Sequence, residues 1–502
     1  MGSSKRIIRA ASAAATVALL TGCAIGPDFK RPDAPAESGY TRAPLPAATA
    51  TADVAGGKAQ RFVMGENIAA EWWKMFGSPQ LNALIEQAIA NNPSLEAAEA
   101  SLRQAEELLD ARKSILFPSV DGNLDVRRAK SYANFGGGGQ AIPAYTIATG
   151  SVQVSYVFDL FGGSFRALES IRAQTEAVKF QMEAAYLALT SNVVVAAVQQ
   201  ASLRAQVEAT QTILSSQEQQ LDLLRKQLEL GGVAEADVLT QLTAVAQTRA
   251  QLPQLQKQLS QVENQILALA GRFPSQEPGV LFDFAELQLP EALPVSLPSQ
   301  LVEQRPDVRA SQANLQSASA EIGVATALLL PQISLNANYG SSASSIGDLF
   351  SAGSGVWSLS AGLVQPLFRG GQLWHQRKAA KAAYDAAAAN YRGAVITAFQ
   401  NVSDVLRALE VDAEAVKAQV EAERAAAQNL EIAQNRFQSG ATNFLTLLDA
   451  QRTYQQTRIA LVQAQAARYA DTAALFVALG GGWWNRSQDT AANTAAANDE
   501  PR

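Results

Sequence analysis

A chain of 502 residues with 40 basic and 46 acidic side chains is long enough for two or three ordinary domains, and its formal charge of -6 argues against a nucleic-acid partner. Its single cysteine rules out a disulfide framework, and its single histidine, His375, removes most imidazole-based chemistry. Charged residues make up only 17% of the chain, while alanine and glutamine are abundant, a composition suited to long wet helices more than to a catalytic cleft.

The first residues read as an export signal. Lys5, Arg6 and Arg9 form a positive start, and residues 10–20 form an apolar run too short to span a bilayer as a helix. The run ends in Leu20-Thr21-Gly22-Cys23, which resembles the lipobox of bacterial lipoproteins. Cys23 is therefore the expected lipid attachment point, with residues 1–22 removed as a signal peptide. Ala24 follows it, where an Asp would favour retention in the inner membrane. Several acyl chains would anchor the protein stably, since each buried CH₂ adds about 0.8 kcal/mol. Residues 23–65 then form an extended, Pro-rich N-terminal segment. Beyond the signal no apolar run reaches the roughly 20 residues a membrane helix needs, so a membrane crossing must use strands.

From residue 66 the chain states one pattern twice. NNPSLEAAEASLRQAEELLDARKSILFPSVDGNLDV (91–126) recurs in outline as QRPDVRASQANLQSASAEIGVATALLLPQISLNANY (304–339), with Pro93 and Pro118 spaced as Pro306 and Pro331 are. KQLELGGVAEADVLTQL (226–242) returns as NRFQSGATNFLTLLDAQ (435–451), and Gly231 and Gly271 are spaced as Gly440 and Gly480 are. The reading is a tandem duplication with halves 66–280 and 281–482, each a helix, a strand pair, a very long helix, a break and a second long helix. Proline flanks predict helices over 94–116 and 307–330.

The period then changes to two. Val120 and Leu124 alternate with Asp121 and Asn123, and Val152, Val154, Tyr156 and Phe158 alternate with Gln153 and Ser155. Ile333, Leu335, Ala337 and Tyr339 alternate with Ser334, Asn336 and Asn338; Trp357, Leu359, Ala361 and Leu363 share a face opposite Ser358, Ser360 and Gly362. Such strands, apolar on one face and about ten residues long, fit a membrane barrel or a half-buried sheet in a soluble domain. The glycines at 136–139 lack the Lys-Ser/Thr ending of a phosphate loop and read as a flexible hairpin loop.

Residues 164–230 contain no Gly or Pro and residues 372–439 only Gly393, so each predicts a continuous helix of about 100 Å. Helices resume along 235–270 and 443–479. Leu252, Leu255, Leu259, Val262, Ile266 and Leu269 step by threes and fours, a narrow seam that suits either the wall of a water-filled tube or an ordinary rod-like coiled coil. Four strands cannot close a membrane barrel, so closure needs two, three or four copies, giving eight, twelve or sixteen strands. No nucleophile–base set, metal-spaced cluster or nucleotide loop argues for an enzyme, and His375 reads as a helix-surface residue near the barrel.

CAIGPDFKRPDAP, EWWKMFGSPQLNALIEQAIANNPSL, RFQSGATNFLTLLDAQRTY and ALGGGWW together resemble the outer membrane factor family over 23–484, and more narrowly its lipoprotein branch, the TolC-like channels of resistance-nodulation-division efflux pumps. The resemblance implies a mainly α-helical chain with a membrane β-barrel. It implies a homotrimer whose twelve-stranded barrel, four strands per chain, sits in the outer membrane and continues into a long helical tunnel through the periplasm. A periplasmic adaptor and an inner-membrane transporter would feed in drugs, toxic compounds or metal ions. The only non-protein group it implies is the N-acyl and S-diacylglycerol lipid on Cys23, with no metal. The turns Gly231-Gly232-Val233 and Gly440-Ala441-Thr442 would form the tip that docks the adaptor. In related channels aspartates after the second turn narrow the entrance; Asp449 takes that place here, with Leu445 one turn earlier and Arg452 close behind. A second acidic ring known in some relatives falls on Thr446, and the corresponding place in the first half holds Asp237. A conduit for type I protein secretion shares the fold, and a periplasmic adaptor or structural coiled-coil lipoprotein is the alternative of another class. The tail from 483 to 502 is low in complexity and expected to be disordered.

Overall fold

The computed structural model describes residues 25–486 apart from positions 38, 131, 136–137, 142 and 278, so Cys23 and the tail beyond residue 486 lie outside the described residues. The start of the tail expected to be disordered from 483 is instead ordered: Trp483–Asn485 form a 3-10 turn and Trp483 Nε1 donates to Gln304 O at 2.6 Å. The described chain divides into two compact units. The first comprises the described residues up to 32 with 102–178 and 311–391; the second comprises 33–101, 179–310 and the described residues from 392 onward.

The first unit is built on one antiparallel sheet. Strands β2 (Ser119–Ala129), β5 (Tyr145–Phe158), β7 (Gln332–Ala343) and β8 (Gly355–Val364) lie in that order, so the two halves of the chain meet at the β5–β7 pair. Strand β1 is the short Arg61–Met64 segment of the second unit. The register turns sequence alternation into two faces. Val152 pairs with Tyr339, which pairs with Trp357; Val154 pairs with Ala337, which pairs with Leu359. This face is apolar yet open: Leu124, Trp357 and Leu359 are 72%, 77% and 76% exposed. The opposite face carries the rungs Asp121–Gln153–Asn338–Ser358 and Ser119–Ser155–Asn336–Ser360, and Ser155 Oγ lies 3.0 Å from Asn336 Oδ1. Strands β2 and β8 each have an unpaired edge within this sheet.

Two pairings went unseen in the sequence. Of the glycines expected to form a flexible hairpin loop, Gly138 and Gly139 belong to an antiparallel ladder between β3 (Tyr132–Phe135) and β4 (Gly138–Ala141), because a Gly backbone pairs as readily as any other. In the second unit, β1 pairs in parallel with β6 (Ala292–Val295). Four residues per strand are too few for a period to show.

In the second unit, α1 (Pro79–Asn91) starts at Ser78, whose hydroxyl accepts from the Leu81 amide at 3.3 Å. Helix α2 (Pro93–Lys113) starts after Asn92, whose side-chain oxygen accepts from the Ser94 amide at 2.9 Å. The long α3 (Gly163–Glu229) and α7 (Gln372–Gln438) contribute their first turns to the first unit and the rest to the second. Their partners are α4 (Glu235–Leu269) and α8 (Phe444–Ala478); α5 (Pro298–Gln304) and α6 (Pro306–Ala327) repeat α1 and α2 in the second half. Helix α4 runs through the exposed Pro253, which removes one helix bond on a solvated side.

A matched joint closes each half upon itself at the end of its second long helix. Asn92 Nδ2 donates to Leu269 O at 2.9 Å, and Arg305 donates to Ala478 O at 2.9 Å. At Gly271 and Gly480, which close these helices with φ of +71° and +96°, a Cβ would lie 2.2 Å from Asn91 O and 2.6 Å from Gln304 O. That approach is why the spacing from each tip glycine is kept.

The core of this unit is aromatic. Trp72 stacks on Phe476 at 5.3 Å, and Tyr469 stacks on Phe284 at 5.5 Å while donating its hydroxyl to Leu287 O at 2.8 Å. Residues 184–203 of α3 carry no charge, and the helix contains an 18-residue window with a mean hydropathy of 1.2, long and apolar enough to cross a membrane. This corrects the expectation that no stretch beyond the signal is long and apolar enough to do so. Interspersed Ser, Thr and Gln hide the run from the eye without lowering its mean much, and Val193, Val194, Ala197 and Val198 are buried in the core of the unit.

Behind the aromatic core, the buried guanidinium of Arg468 donates to Thr49 Oγ1 at 3.0 Å and to Lys58 O at 2.6 Å. The carboxyl of Asp412 is pushed up to about 7 by burial first, then by its hydrogen bond to Asp471 and the charge of that group, with Arg468 opposing. A carboxyl raised by folding stabilises the native state fully below its unfolded value near 4, and that contribution is lost as pH rises through about 7. Asp412→Asn is therefore expected to flatten the decline in thermal stability between pH 4 and 7 and to raise the melting temperature at pH 8. An unchanged pH profile in the detergent-solubilised protein would remove Asp412 from this role.

Candidate functional site

The candidate site lies within the second unit, where each pair of long helices turns. Helix α3 ends in a Schellman turn: the Gly231 amide donates to Leu228 O at 2.9 Å and the Gly232 amide to Gln227 O at 2.7 Å. Helix α7 ends identically, with Gly440 donating to Phe437 O at 3.0 Å and Ala441 to Arg436 O at 2.8 Å. Gly231 and Gly440 have φ of +73° and +72°, the left-handed conformation that glycine reaches without a Cβ penalty. The next helices start differently. Asn443 caps α8, its side-chain oxygen accepting from the Thr446 amide at 3.0 Å, whereas Ala234 before α4 offers no side-chain cap. Glu235 and Asp237 in the first turn of α4 complement its dipole instead.

Beneath the turns the two hairpins share one apolar cluster. Leu221, Leu224, Val238, Val245, Phe444 and Leu448 are buried together, and Phe437 meets Phe444 edge to face at 6.0 Å. Away from the turns the contacts become amides: within the first hairpin Gln241 Nε2 donates to Gln217 O at 2.8 Å, and between the hairpins Gln455 Nε2 donates to Gln251 Oε1 at 3.0 Å. Arg249 and Glu218 join α4 to α3 at 2.5 Å, and Arg458 and Glu423 join α8 to α7 at 3.5 Å. Apolar residues thus hold the turn, while polar side chains line the helix pairs above it. These buried glutamines went unremarked in the sequence, where Gln is too common in this chain to stand out.

The sequence-derived residues sort into three groups. Leu445, Asp449 and Arg452 are exposed and occupy positions i, i+4 and i+7 of α8, which is one face of the helix. Leu447, Leu448, Ala450 and Gln451 point the other way and are buried. Asp449 and Arg452 form no ion pair with each other or with any described residue, so a pairing for Arg452 is not met inside one chain. Gly231, Gly232, Gly440 and Ala441 are exposed, and Thr442 is half-buried. Val233 is half-buried, as Thr442 is, and packs on the shared apolar cluster, because the residue after a Schellman turn commonly covers the last helix turn. Leu230 at 86% exposed is the apolar side chain that the first turn presents instead. Asp237 and Thr446 occupy the same step after their turns, and Asp237 is half-buried. Among the described residues no group of three His, Cys, Asp or Glu could hold a metal ion.

The model of the outer membrane efflux protein family matches residues 84–272 and again 297–481. The antibiotic efflux pump outer membrane protein ArpC of Pseudomonas putida is 30% identical over 498 residues, covering 98% of this chain and 99% of the relative. The pyoverdine export outer membrane protein OpmQ of the same species is 32% identical over 426 residues, covering 82% and 88%. The solved outer-membrane channel OprN superposes with a TM-score of 0.80 at 29% identity, over 92% of this chain and all of that one.

Phe444 carries the contact between the two turns and is 3% exposed. Phe444→Ala is expected to cost about 3–5 kcal/mol locally, seen as faster proteolysis at the 231–233 and 440–442 turns while the core around Trp72 keeps its protection. Uniform loss of protection would assign Phe444 to the global core instead.

Proposed function

The chain belongs to the outer membrane efflux protein family and is an outer-membrane channel component of an efflux pump; from that premise we propose that three copies close its barrel and that the helix turns form its gate. The observation that carries the reading is the sheet of β2, β5, β7 and β8, apolar and exposed on one face and unpaired at both edges. In hydrocarbon every backbone donor and acceptor needs a partner, so an open edge cannot persist there. Strand β8 of one copy would pair with β2 of the next, and three copies of four strands would give a twelve-stranded TolC-like barrel with the Asp121–Gln153–Asn338–Ser358 rungs facing its water-filled lumen.

The channel is a passive exit. A periplasmic adaptor and an inner-membrane transporter, of the resistance-nodulation-division type by resemblance, would deliver cargo and energy. The exposed turns at Gly231-Gly232 and Gly440-Ala441, with Leu230, offer the adaptor its contact. On α8 the shared face of Leu445, Asp449 and Arg452 suits a constriction. Three Asp449 carboxylates brought together would repel one another, attract cations and disfavour anions, and Leu445 would add a dry ring beside them. Arg452, without an ion-pair partner among the described residues, would be free to pair across a subunit boundary when the gate is shut. Asp237 would add charge at the rim. Cargo of the kinds named for the relatives, antibiotics and pyoverdine, fits a wide wet lumen better than a selective pocket, and favours efflux over protein secretion.

Lipidation of Cys23 has a structural support two residues away. The Ile25 amide donates to Phe161 O at 3.0 Å, and Asp28 pairs with Arg166 at 2.6 Å, so the chain just after Cys23 is held where β5 passes into α3. That is the edge of the apolar band, where acyl chains would enter the bilayer. The two family-model matches support tandem halves of 66–280 and 281–482.

Planar-bilayer conductance tests the gate. Wild type is expected to show long-lived, cation-selective steps, and Asp449→Asn to lower that selectivity with conductance kept or raised; identical selectivity in the two proteins would take Asp449 out of the constriction. For the anchor, Cys23→Ser is expected to abolish palmitate labelling and to leave the chain without acyl groups, and persistent labelling would refute it.

A further inference from the structure

Where β8 leaves the sheet, the first unit carries a group of basic and aromatic side chains that the channel function does not use. Leu367 and Phe368 follow the strand and are 92% and 88% exposed. Arg369 comes next, also exposed. Helix α7 then begins, and Trp374, Arg377, Lys378 and Lys381 fall at i, i+3, i+4 and i+7, one face of its first turns. Trp374 is half exposed, and Lys378 Nζ stands 3.6 Å over the centre of its ring. From Trp374 to Lys381 the face rises about 10 Å, enough to cross a headgroup layer.

The charge of this stretch is one-sided. No Asp or Glu occurs between Asp348 and Asp385, a span that holds Arg369, His375, Arg377, Lys378 and Lys381. None of these four Arg and Lys side chains makes an ion pair with a described residue. The matching stretch of the first half, up to the Glu176 that stands where Asp385 does, is balanced: it holds Asp159 and Glu169 beside Arg166 and Arg172, and Arg166 is paired with Asp28 at 2.6 Å and Glu169 at 2.7 Å. The first half pairs Arg166 twice within the chain, while the four cations of the second half pair with no described residue.

We infer that Arg369, Trp374, Lys378 and Lys381 form a binding face for an anionic glycerophospholipid, of the phosphatidylglycerol class, in the leaflet at the helix-bearing end of the barrel. The inference rests on reading the sheet as lipid-facing. Two observations select this occupant. The apolar face of the sheet is continuous through Leu363, Leu367 and Phe368 into the cluster, so acyl chains lying on the strands bring headgroups to these cations. The cluster has aromatic and long basic side chains at the end of an apolar band, the pattern of an interfacial belt in which Lys and Arg stems lie along apolar surface and their charges reach phosphates. Each basic side chain close to an anionic surface favours it by roughly fivefold. Lipopolysaccharide also carries phosphates, but it fills the opposite leaflet, at the hairpin end of the strands.

The test uses the full-length lipid-bearing protein in phosphatidylcholine vesicles containing a small fraction of phosphatidylglycerol or phosphatidylcholine brominated on the acyl chains. Of the six tryptophans, the share of quenching lost in Trp374→Phe reports this site. Brominated phosphatidylglycerol is expected to quench that share at an effective concentration lower than brominated phosphatidylcholine by on the order of tenfold. The preference should shrink with added salt and vanish in Arg369→Gln/Lys378→Gln/Lys381→Gln, whose single-channel conductance should match wild type. Equal quenching by both lipids with normal conductance would overturn the lipid face while leaving the barrel reading intact, as would a preference that survives the triple substitution. Displacement by lipopolysaccharide as effective as by phosphatidylglycerol would also overturn it. No quenching of the Trp374 share by either lipid would overturn it by placing that ring against another subunit, and absence of quenching from Trp357 as well would undermine the lipid-facing reading of the sheet itself.

Discussion

An unpaired strand edge cannot stay in hydrocarbon, and this constraint organises the molecule. The sheet of β2, β5, β7 and β8 exposes Leu124, Trp357 and Leu359 on one face and leaves two edges open. A soluble domain would cover that face and blunt those edges. Under the proposed closure, further copies would satisfy the edges and lipid would cover the face. Once closure is shared between copies, the polar face becomes the lining of a lumen, and the helices that continue from the strands need to be wet on one side.

The helices meet that need with glutamine and alanine. The hairpins are apolar only at their turns, around Leu221, Leu224, Phe444 and Leu448; away from the turns Gln241, Gln217, Gln455 and Gln251 take over. Amide contacts can be exchanged for water at lower cost than apolar ones, which suits helices that shift against one another when a gate opens. The joints at the far ends are the opposite. Gly271 and Gly480 admit a backbone carbonyl where a Cβ would collide, so those ends are held rigidly.

The duplication gives two copies of one backbone scheme with different side chains. The Schellman turns at Gly231 and Gly440 are the same to within a hydrogen bond, yet Ala234 and Asn443 begin the following helices differently, and Asp237 stands where Thr446 does. Near the membrane the divergence is one of charge: Arg166 is neutralised by Asp28 and Glu169, while Arg369, Lys378 and Lys381 are left unpaired. Only one half supplies the acidic face of Asp449 on α8, so the chain uses repetition for architecture and divergence for chemistry.

Much of this was legible in the residues. Proline and glycine punctuation gave the long helices almost to the residue, since Gly and Pro act locally on the backbone. Period-two alternation gave all four strands of the main sheet, because side-chain direction in a strand depends only on position parity. Leu445, Asp449 and Arg452 came from the family resemblance, and the structure puts them on one exposed face of α8. What stayed hidden needed partners distant in sequence. The β1–β6 pair joins segments some 230 residues apart with no pattern in either; the burial of Val233, the core role of residues 184–203 and the matched carbonyl joints at Gly271 and Gly480 are likewise properties of neighbours. The sequence by itself determined the elements, their repeated order and the two-faced alternation of the strands, all set by local backbone geometry. Only the tertiary structure decided which side chains lie against one another and which are left for lipid, adaptor or another copy, because burial is a property of the assembled surface and no residue carries it alone.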